Sequence, residues 1–335
     1  MAHFLGDTEV SACIERVAGE RLAQVQATIA SVVRRREISR RLKFPGPANE
    51  ARARGRTIAS VVATDFDLAE LRPDVARWVE AIDQGHGFVR VRGFPVHRLA
   101  PEAVELAYVG LGPQLRTPVG QDAEGTLLGH VRDEGVPRTD PGVRLYRTNE
   151  RQDFHTDGAD IVGLLCLAGA RTCGESRIAS AYPIYNEILR RRPDLTEVCY
   201  GPFPWDRNDE QSLGEDPYFL LPVFLDIGEV PRVFFIGWYI SDSQRHDAAP
   251  RLTPAQLEAL ELIESIANDP AFHLEIAFEP GDVQLIANAK ILHAREAFED
   301  HADPGQRRHL LRLWLTAHEF TSVDDVLRGG IPKCS

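Results

Sequence analysis

Apolar residues at helical spacing mark the first part of the chain. Residues 8 to 33 repeat small and branched apolar side chains every three or four positions after Thr8, which can cap a helix, so a helix is predicted there. Residues 44 to 55 (FPGPANEARARG) have the proline, glycine and charge content of a linker. Alternating polar and apolar residues then predict a strand over residues 86 to 96, and a helix is expected after Pro101.

Short apolar segments replace the helical pattern from about residue 143 onward. Each predicts a strand, and they are IVGLLCLAG, RVFFIGWYI, HLEIAFE, DVQLIAN and RHLLRLWLTA. One helix interrupts them, because Thr253, Pro254 and Gln256 have the pattern of a capping box before an apolar stretch. Many short strands with few helices do not fit a parallel α/β sheet. The pattern favours a mainly β fold with flanking helices (α+β), whose core is a jelly roll, or double-stranded β-helix.

The positions of the linker and the strands divide the 335 residues into three parts. We predict an N-terminal helical extension with its linker over residues 1 to 56, a jelly-roll domain over residues 57 to 320 and a C-terminal tail over residues 321 to 335. A chain of this length can bury one large core.

Charge and composition exclude several classes of protein. A net charge of −12 argues against a nucleic-acid surface, and the basic run at residues 34 to 43 is typical of a solvated helix face. The 5 cysteines form neither a disulfide framework nor a CxxC pair. The N-terminus lacks a signal peptide and no apolar run could span a bilayer, so we expect a soluble, cytoplasmic protein without a membrane or nucleic-acid partner. Assembly as a homo-oligomer stays open.

A histidine and an aspartate two positions apart stand out in QDFHTDGAD, residues 152 to 160. On a strand, His155 and Asp157 would point to the same side about 6.5 Å apart and could reach one metal ion. The alternative is an accidental pair of polar residues at a sheet edge. A third ligand must come from elsewhere, and among the 11 histidines His293 is favoured because it follows a strand and a polar break.

Two arginines share one face of the last predicted strand. In GQRRHLLRLWLTAHE, alternation places Arg308 and Arg312 opposite a face of leucines that is typical of a core. Arginines on so apolar a strand need water or anions, since an unpaired buried charge is very costly. The strand therefore has either an exposed face with surface arginines or a face in a cavity that binds carboxylates, which the guanidinium fork matches.

Two histidines and one carboxylate describe the facial triad of non-haem iron(II) oxygenases. HTD at residues 155 to 157, His293 in LHAREAFED and RRHLLR at residues 307 to 312 resemble the taurine dioxygenase-like (clavaminate synthase-like) family of iron(II)/2-oxoglutarate-dependent dioxygenases. GFVRVRGFPV and CGESRIAS extend the resemblance over roughly residues 57 to 320.

The resemblance implies an iron(II) centre, with 2-oxoglutarate and O2 as co-substrates. Arg308 would pair with the distal carboxylate of 2-oxoglutarate, and Ser176 stands where the family usually has a threonine that assists it. Arg312 matches a second arginine that faces the metal. Asp157 argues against halogenation, because halogenating relatives replace this ligand by a small residue. The implied ligands of the iron are His155, Asp157 and His293.

The implied reaction is the oxidation, in the simplest case the hydroxylation, of an unactivated C–H bond of a small molecule. It is coupled to the decarboxylation of 2-oxoglutarate to succinate and CO2. Arg312 lies about 13 Å along the strand from Arg308, so it would meet the near end of the co-substrate or an acidic group of the substrate. We therefore expect a small, carboxylate-bearing substrate.

Residues around these motifs are candidates for the substrate site, although each could instead make structural hydrogen bonds. Residues 199 to 219 are long, polar and turn-rich, which predicts either an entrance loop, with Phe203 and Trp205 as apolar contacts, or a plain surface insertion. The candidates next to the metal motifs are Tyr146, Arg147, Asn149, Asn288 and Arg295.

Two other functions stay open. A zinc or manganese jelly-roll isomerase or hydrolase would use the same ligands without 2-oxoglutarate and would not need Arg308 near the metal. A non-catalytic β-sandwich that binds a small acid through its arginines would not need the three ligands to converge. The identity of the substrate and the outcome of the oxidation do not follow from the sequence.

Overall fold

The computed structural model describes residues 45–66, 71–122, 124–137, 143–211, 213–226 and 231–316. The predicted helix over residues 8 to 33, the basic run and the predicted C-terminal tail lie outside the described residues. Among the helices of the described ranges, none has the length and apolarity that crossing a membrane requires.

Helices come before and between the short strands of the described chain. The helices are α1 (Pro45–Ala53), α2 (Arg72–Asp83), α3 (Pro101–Leu115), α4 (Ala181–Arg191), α5 (Pro193–Tyr200), α6 (Gly237–Asp242) and α7 (Pro254–Asn268). The strands are β1 (Phe88–Val91), β2 (Thr117–Val119), β3 (Leu128–Val131), β4 (Gln152–His155), β5 (Ile161–Ala168), β6 (Thr172–Cys173), β7 (Ser176–Ser180), β8 (Phe203–Asp206), β9 (Tyr218–Leu221), β10 (Phe224–Asp226), β11 (Pro231–Val233), β12 (His273–Ile276), β13 (Val283–Ala287), β14 (Ile291–Arg295), β15 (Phe298–Glu299) and β16 (His309–Thr316).

Two antiparallel sheets form the jelly roll. The large sheet has the order β1-β13-β5-β16-β2, with β3 also paired to β16, and the small sheet has the order β12-β7-β14-β4. Ile286 and Trp314 of the large sheet share one apolar cluster with Ile178 and Ile291 of the small sheet. The predicted mainly β fold with flanking helices is confirmed.

The leucines of β16 form the core face that alternation predicts. Leu311, Leu313 and Leu315 are buried in one cluster with the apolar residues of α3. Helix α3 packs so closely on β5 that a Cβ on Gly163 would lie 2.7 Å from the hydroxyl of Tyr108, so only glycine fits there. The helices therefore cover one face of the large sheet and leave the other face to the site.

A second core supports the small sheet from behind. It combines α4, α5 and α7 with the hairpin β8-β9, and it buries Phe154 of β4 and Leu292 of β14. Helix α7 begins with the predicted capping box: Thr253 Oγ1 accepts from the Gln256 N–H at 3.2 Å, and Gln256 Oε1 accepts from the Thr253 N–H at 3.0 Å. This packing fixes the two strands that carry the histidines of the site.

Two segments differ from the sequence predictions in their secondary structure. Most of the predicted linker at residues 44 to 55 is helix α1, whose Ala48 and Ala51 are buried in the cluster around α3. The segment RVFFIGWYI is a strand only at its start, in β11, and continues as helix α6 from Gly237. A short continuous apolar run fits a buried strand and a buried helix equally well, which explains the second error.

The segment over residues 199 to 219 is not the single entrance loop that its composition predicts. It contains β8 and the start of β9, which pair antiparallel. Phe203 and Trp205 are both 0% exposed in the second core. Only the turn between the two strands reaches the site.

Candidate active site

The two histidines of the predicted metal centre lie side by side in the small sheet. His155 ends β4, and His293 lies directly opposite it in β14, with the ring centroids 4.1 Å apart. Asp157 follows two residues after β4, and its carboxylate oxygens lie 4.0 Å from Nε2 of His155 and 3.6 Å from Nε2 of His293. All three side chains are buried, and their ligand atoms lie within 4.8 Å of one another. The three residues therefore converge as the sequence predicted.

The protonation states of this triad suit a metal. Burial, followed by the charge of nearby His293, lowers the pKa of His155 to about 3, so its imidazole is neutral. Burial raises the pKa of Asp157, but the charge of Arg312 and the contact with His293 outweigh it and hold the pKa below its ordinary value. Neutral imidazole and ionised carboxylate are the forms that bind a divalent metal. The donor set thus fits an iron(II) facial triad.

Hydrogen bonds hold the triad in position. Nδ1 of His155 donates to the Asp153 carbonyl at 2.8 Å, which leaves Nε2 as the ligand atom. Asn288 accepts from the backbone N–H of Asp157 at 2.7 Å and donates to its carbonyl. Trp314 Nε1 donates to Asp157 Oδ2 at 3.2 Å. Asn288 therefore makes structural hydrogen bonds, the alternative to its candidate role as a substrate contact.

Arg308, just before β16, is a buried cation without an anion. It is 4% exposed, its Nη1 has no partner, and no carboxylate of the described residues lies at ion-pair distance. Its guanidinium carbon lies 5.0 Å from the ring centroid of Phe298. Gly174, at φ +80°, permits this packing, because a Cβ there would lie 3.0 Å from Cβ of Phe298. Burial lowers the pKa of Arg308 to about 10. Such a cation is costly unless an anion joins it, which excludes the surface-arginine alternative.

Ser176 contributes through a neighbour that the sequence analysis missed. Its hydroxyl donates to Oε1 of Gln284 at 3.4 Å, and Nε2 of Gln284 is buried without a partner. The orphaned amide donor can therefore serve an anion that enters this space. Gln284 was overlooked because the apolar face of β13, with Val283 and Leu285, dominates the sequence pattern there.

A cavity of about 710 Å³ opens beside the triad. Its volume lies in the range of roughly 300–1,000 Å³ that is usual for small-molecule sites. Tyr146, predicted as a substrate contact, lies in its wall. Other wall residues that the argument uses are His155, Asp157, Trp238, Tyr239 and Arg312.

Arg312 is held rigidly in the wall of this cavity. Its Nε donates to Oε1 of Gln121 at 2.7 Å, and its guanidinium carbon lies 4.6 Å from the Tyr146 ring centroid and 5.0 Å from that of Trp314. Gln121 is itself fixed, because its Nε2 donates to the carbonyls of Leu127 and Arg312. The second arginine of β16 is therefore preorganised toward the cavity.

Several candidate substrate residues do not line the cavity. The prediction for Trp205 is wrong, because its indole is buried in the second core and donates to the Leu221 carbonyl at 2.8 Å. Arg147 lies outside the wall and pairs with Glu134 at 2.7 Å. The other candidates that the cavity wall lacks are Asn149, Asn288, Arg295 and Phe203.

An ion pair and two aromatic residues of the cavity wall were missed by the sequence analysis. Arg144 pairs with Glu210 and donates to the Gln121 carbonyl at 3.0 Å, so it joins the turn between β8 and β9 to the opposite wall. Trp238 and Tyr239 of α6 complete the wall, and they were assigned to a strand. Ionic partners 66 residues apart leave no local signal in the sequence.

Comparisons with known proteins agree with this site. The family described as "Taurine catabolism dioxygenase TauD, TfdA family" matches residues 51–314. The "FR-33289 synthase" of Streptomyces rubellomurinus is 33% identical over 245 residues, which are 72% of this chain and 72% of that protein. The "Taurine hydroxylase-like protein SAT17" of Stachybotrys chartarum is 30% identical over 278 residues, 80% of this chain and 69% of that protein.

A solved structure shares the fold at low sequence identity. The asparagine oxygenase in complex with Fe(II), 2S,3S-3-hydroxyasparagine and succinate has a TM-score of 0.58 and 19% identity. The match covers 76% of this chain and 81% of that one.

Proposed function

Because the chain belongs to the taurine catabolism dioxygenase TauD, TfdA family and is an iron(II)/2-oxoglutarate-dependent dioxygenase, we propose that His155, Asp157 and His293 hold its iron. We propose further that Arg308 binds the distal carboxylate of 2-oxoglutarate. The observation that carries both proposals is a buried triad of two neutral or neutralisable histidines and one carboxylate in the same fold as a buried arginine without an anion. Membership of this family sets aside the isomerase, hydrolase and non-catalytic alternatives.

Iron(II) would supply the redox chemistry by which O2 and 2-oxoglutarate hydroxylate a C–H bond of a small molecule, with release of succinate and CO2. The chain's own contribution is position. His155 stays neutral and offers Nε2, because its Nδ1–H is engaged by the Asp153 carbonyl. Asn288 holds the backbone on both sides of the Asp157 peptide, so the carboxylate is aimed before a metal arrives.

Arg308 would orient the co-substrate by a bidentate pair with its distal carboxylate. Gln284 offers a further donor, since Ser176 occupies its carbonyl oxygen and leaves the amide N–H groups for a ligand. Apolar residues between the sheets, with Ile286 and Trp314 among them, keep water from this space.

The substrate would carry an anionic group that meets Arg312. This arginine is fixed by Gln121 and two aromatic rings, and it lies in the cavity wall beside Asp157. The asparagine oxygenase that shares the fold was solved with hydroxyasparagine, a small molecule with a carboxylate of this kind. We therefore propose a small, carboxylate-bearing or similarly anionic substrate.

The test is anaerobic loading of the protein with iron(II), followed by titration with 2-oxoglutarate. A visible charge-transfer band should develop in the wild type and be absent from a His293→Ala variant. His130→Ala is the matched control, because His130 lies on β3 and bonds to His309 away from the triad. Failure of the wild type to give the band, or an unchanged band in His293→Ala, contradicts the metal assignment.

A further inference from the structure

Arg295 is a second buried arginine with unsatisfied donors. It lies at the end of β14, is 5% exposed, and its Nε and Nη1 have no partner. Only Nη2 is bonded, to the backbone carbonyls of Leu145 and Glu150. No carboxylate of the described ranges lies at ion-pair distance from it. A fold rarely leaves a buried guanidinium in this state unless a ligand completes it.

Arg295 and Arg308 enclose one aromatic ring. Their guanidinium carbons lie 5.1 and 5.0 Å from the ring centroid of Phe298. Burial and then the charge of Arg308 lower the pKa of Arg295 to about 9, so the two cations destabilise each other. Cation–π contact with one shared ring compensates such a pair only in part. An anion with two oxygens would relieve both.

The direction of the Arg295 side chain agrees with this requirement. Residues i and i+2 of a strand point to the same face about 6.5 Å apart, so Arg295 follows His293 on the inner face of the small sheet. Its direct cross-strand partner is Ser176, whose hydroxyl meets Gln284 of the large sheet. Arg295 therefore points into the space between the sheets, next to a metal ligand.

We propose that Arg295 is a second binding residue for the distal carboxylate of 2-oxoglutarate, which Arg295 and Arg308 grip together. The proposal rests on the function proposed above, in which the triad holds the metal. A five-carbon 2-oxo acid that chelates the metal extends its far carboxylate away from the histidines, and Arg295 stands one same-face position beyond His293. The two guanidiniums supply the donors that the two carboxylate oxygens accept.

A purely structural role is the competing explanation, because Arg295 also holds two carbonyls of the segment that carries Tyr146. The two roles differ in what they do to ligands of different length. A structural defect would weaken every 2-oxo acid, whereas loss of a carboxylate contact would weaken only those with a distal carboxylate.

The experiment measures the binding of two ligands, 2-oxoglutarate and 2-oxobutanoate, to manganese(II)-loaded protein by calorimetry. The variants are Arg295→Gln and Arg295→Lys, the second of which keeps a charge and guards against loss of the fold. Arg177→Lys is the matched control. Arg177 is also 5% exposed, but it lies one position away from the Arg295 register, opposite Ala294, and its Nη2 is 2.7 Å from a Glu296 carboxylate oxygen.

We expect the dissociation constant of 2-oxoglutarate to rise about 10-fold or more in both Arg295 variants, with that of 2-oxobutanoate unchanged. Arg177→Lys should change neither constant. Equal weakening of both ligands, or no change for 2-oxoglutarate, would overturn the assignment of Arg295. Absence of binding of either ligand to the wild-type manganese protein would instead overturn the proposed function on which it rests.

Discussion

Nη1 of Arg312 lies 3.6 Å from Oδ2 of Asp157, so one cation borders both the metal triad and the substrate cavity. The indole N–H of Trp314 reaches the same carboxylate oxygen, and the Trp314 ring also packs against the arginine. Arg312 thus keeps Asp157 ionised while its remaining donors stay available on the cavity side. This arrangement couples the charge of the metal site to the charge that a substrate must bring.

Substitution of Arg312 should therefore act on the substrate more than on the co-substrate. Arg312→Lys keeps the charge but loses the planar fork, and loss of a charge-assisted hydrogen bond costs about 1.5–3 kcal/mol, or about 10- to 100-fold in the substrate KM. The measurement is succinate release with acidic and neutral compounds side by side. Arg147→Lys, outside the cavity wall, is the control. If the wild type turns over only uncharged or cationic compounds, the anion-binding role of Arg312 is wrong.

The backbone clamp on Asp157 should be visible in metal affinity. Asn288→Ala removes one acceptor and one donor from the Asp157 peptide, and loss of such a supporting contact typically lowers metal affinity about 10- to 100-fold. Competition with a chelator measures this for manganese(II) or iron(II). Asn268→Ala, in helix α7, is the control, since Asn268 bonds to Arg151 and Arg177 instead. Equal metal affinity in Asn288→Ala and the wild type would show that the clamp is dispensable.

The co-substrate role of Arg308 predicts a change confined to 2-oxoglutarate. Arg308→Lys should raise the 2-oxoglutarate KM about 10- to 100-fold, because an ammonium cannot form the bidentate pair. The substrate KM should change much less. Steady-state rates at varied 2-oxoglutarate give the constant, and Arg92→Lys, on a partly exposed arginine near Glu279, is the control. An unchanged constant moves the role to Arg312 or excludes it.

Alternation within β16 was sufficient to predict its leucine core but not the surroundings of its arginines. A strand with one exposed face and a strand that lines a cavity have the same period of two. The burial of Arg308 and Arg312 depends on Phe298, Gly174 and Gln121, which other elements supply. The resemblance to a family, not the periodicity, selected the cavity alternative at that point.

Local composition misled the analysis where tertiary pairing decides. The polar, turn-rich stretch around Trp205 looked like a loop because its apolar partners in β9 lie beyond the turn. Trp238 and Tyr239 were assigned to a strand, since the apolar run before them has no helix start signal. The metal triad was predictable because each ligand stands in a distinct motif, whereas Gln284 and Arg295 acquire meaning only from the unsatisfied bonds around them.

Glu264 of helix α7 is a buried acid whose ionisation should cost stability. Burial and then the charge of Asp153 raise its pKa to about 7. Its Oε2 accepts from Asn268 Nδ2 at 3.3 Å, which offsets only part of this. The folded protein therefore holds a proton on Glu264 at pH values where the unfolded chain, with a glutamate pKa of about 4.3, has lost it. Stability from this group is complete below the unfolded pKa and is lost as the pH rises through the folded one.

Glu264→Gln should accordingly remove a fall in the free energy of unfolding between about pH 4.5 and pH 7, and should stabilise the protein at pH 8 by about 1–3 kcal/mol relative to the wild type. Below about pH 4, where the glutamate is protonated in both states, the two proteins should have similar stability. Urea unfolding at a series of pH values measures the difference, and the difference between variants cancels the titration of all other groups. Glu261→Gln, on an exposed position of the same helix, is the control and should follow the wild-type curve. Parallel curves for Glu264→Gln and the wild type would mean that Glu264 ionises freely in the folded protein.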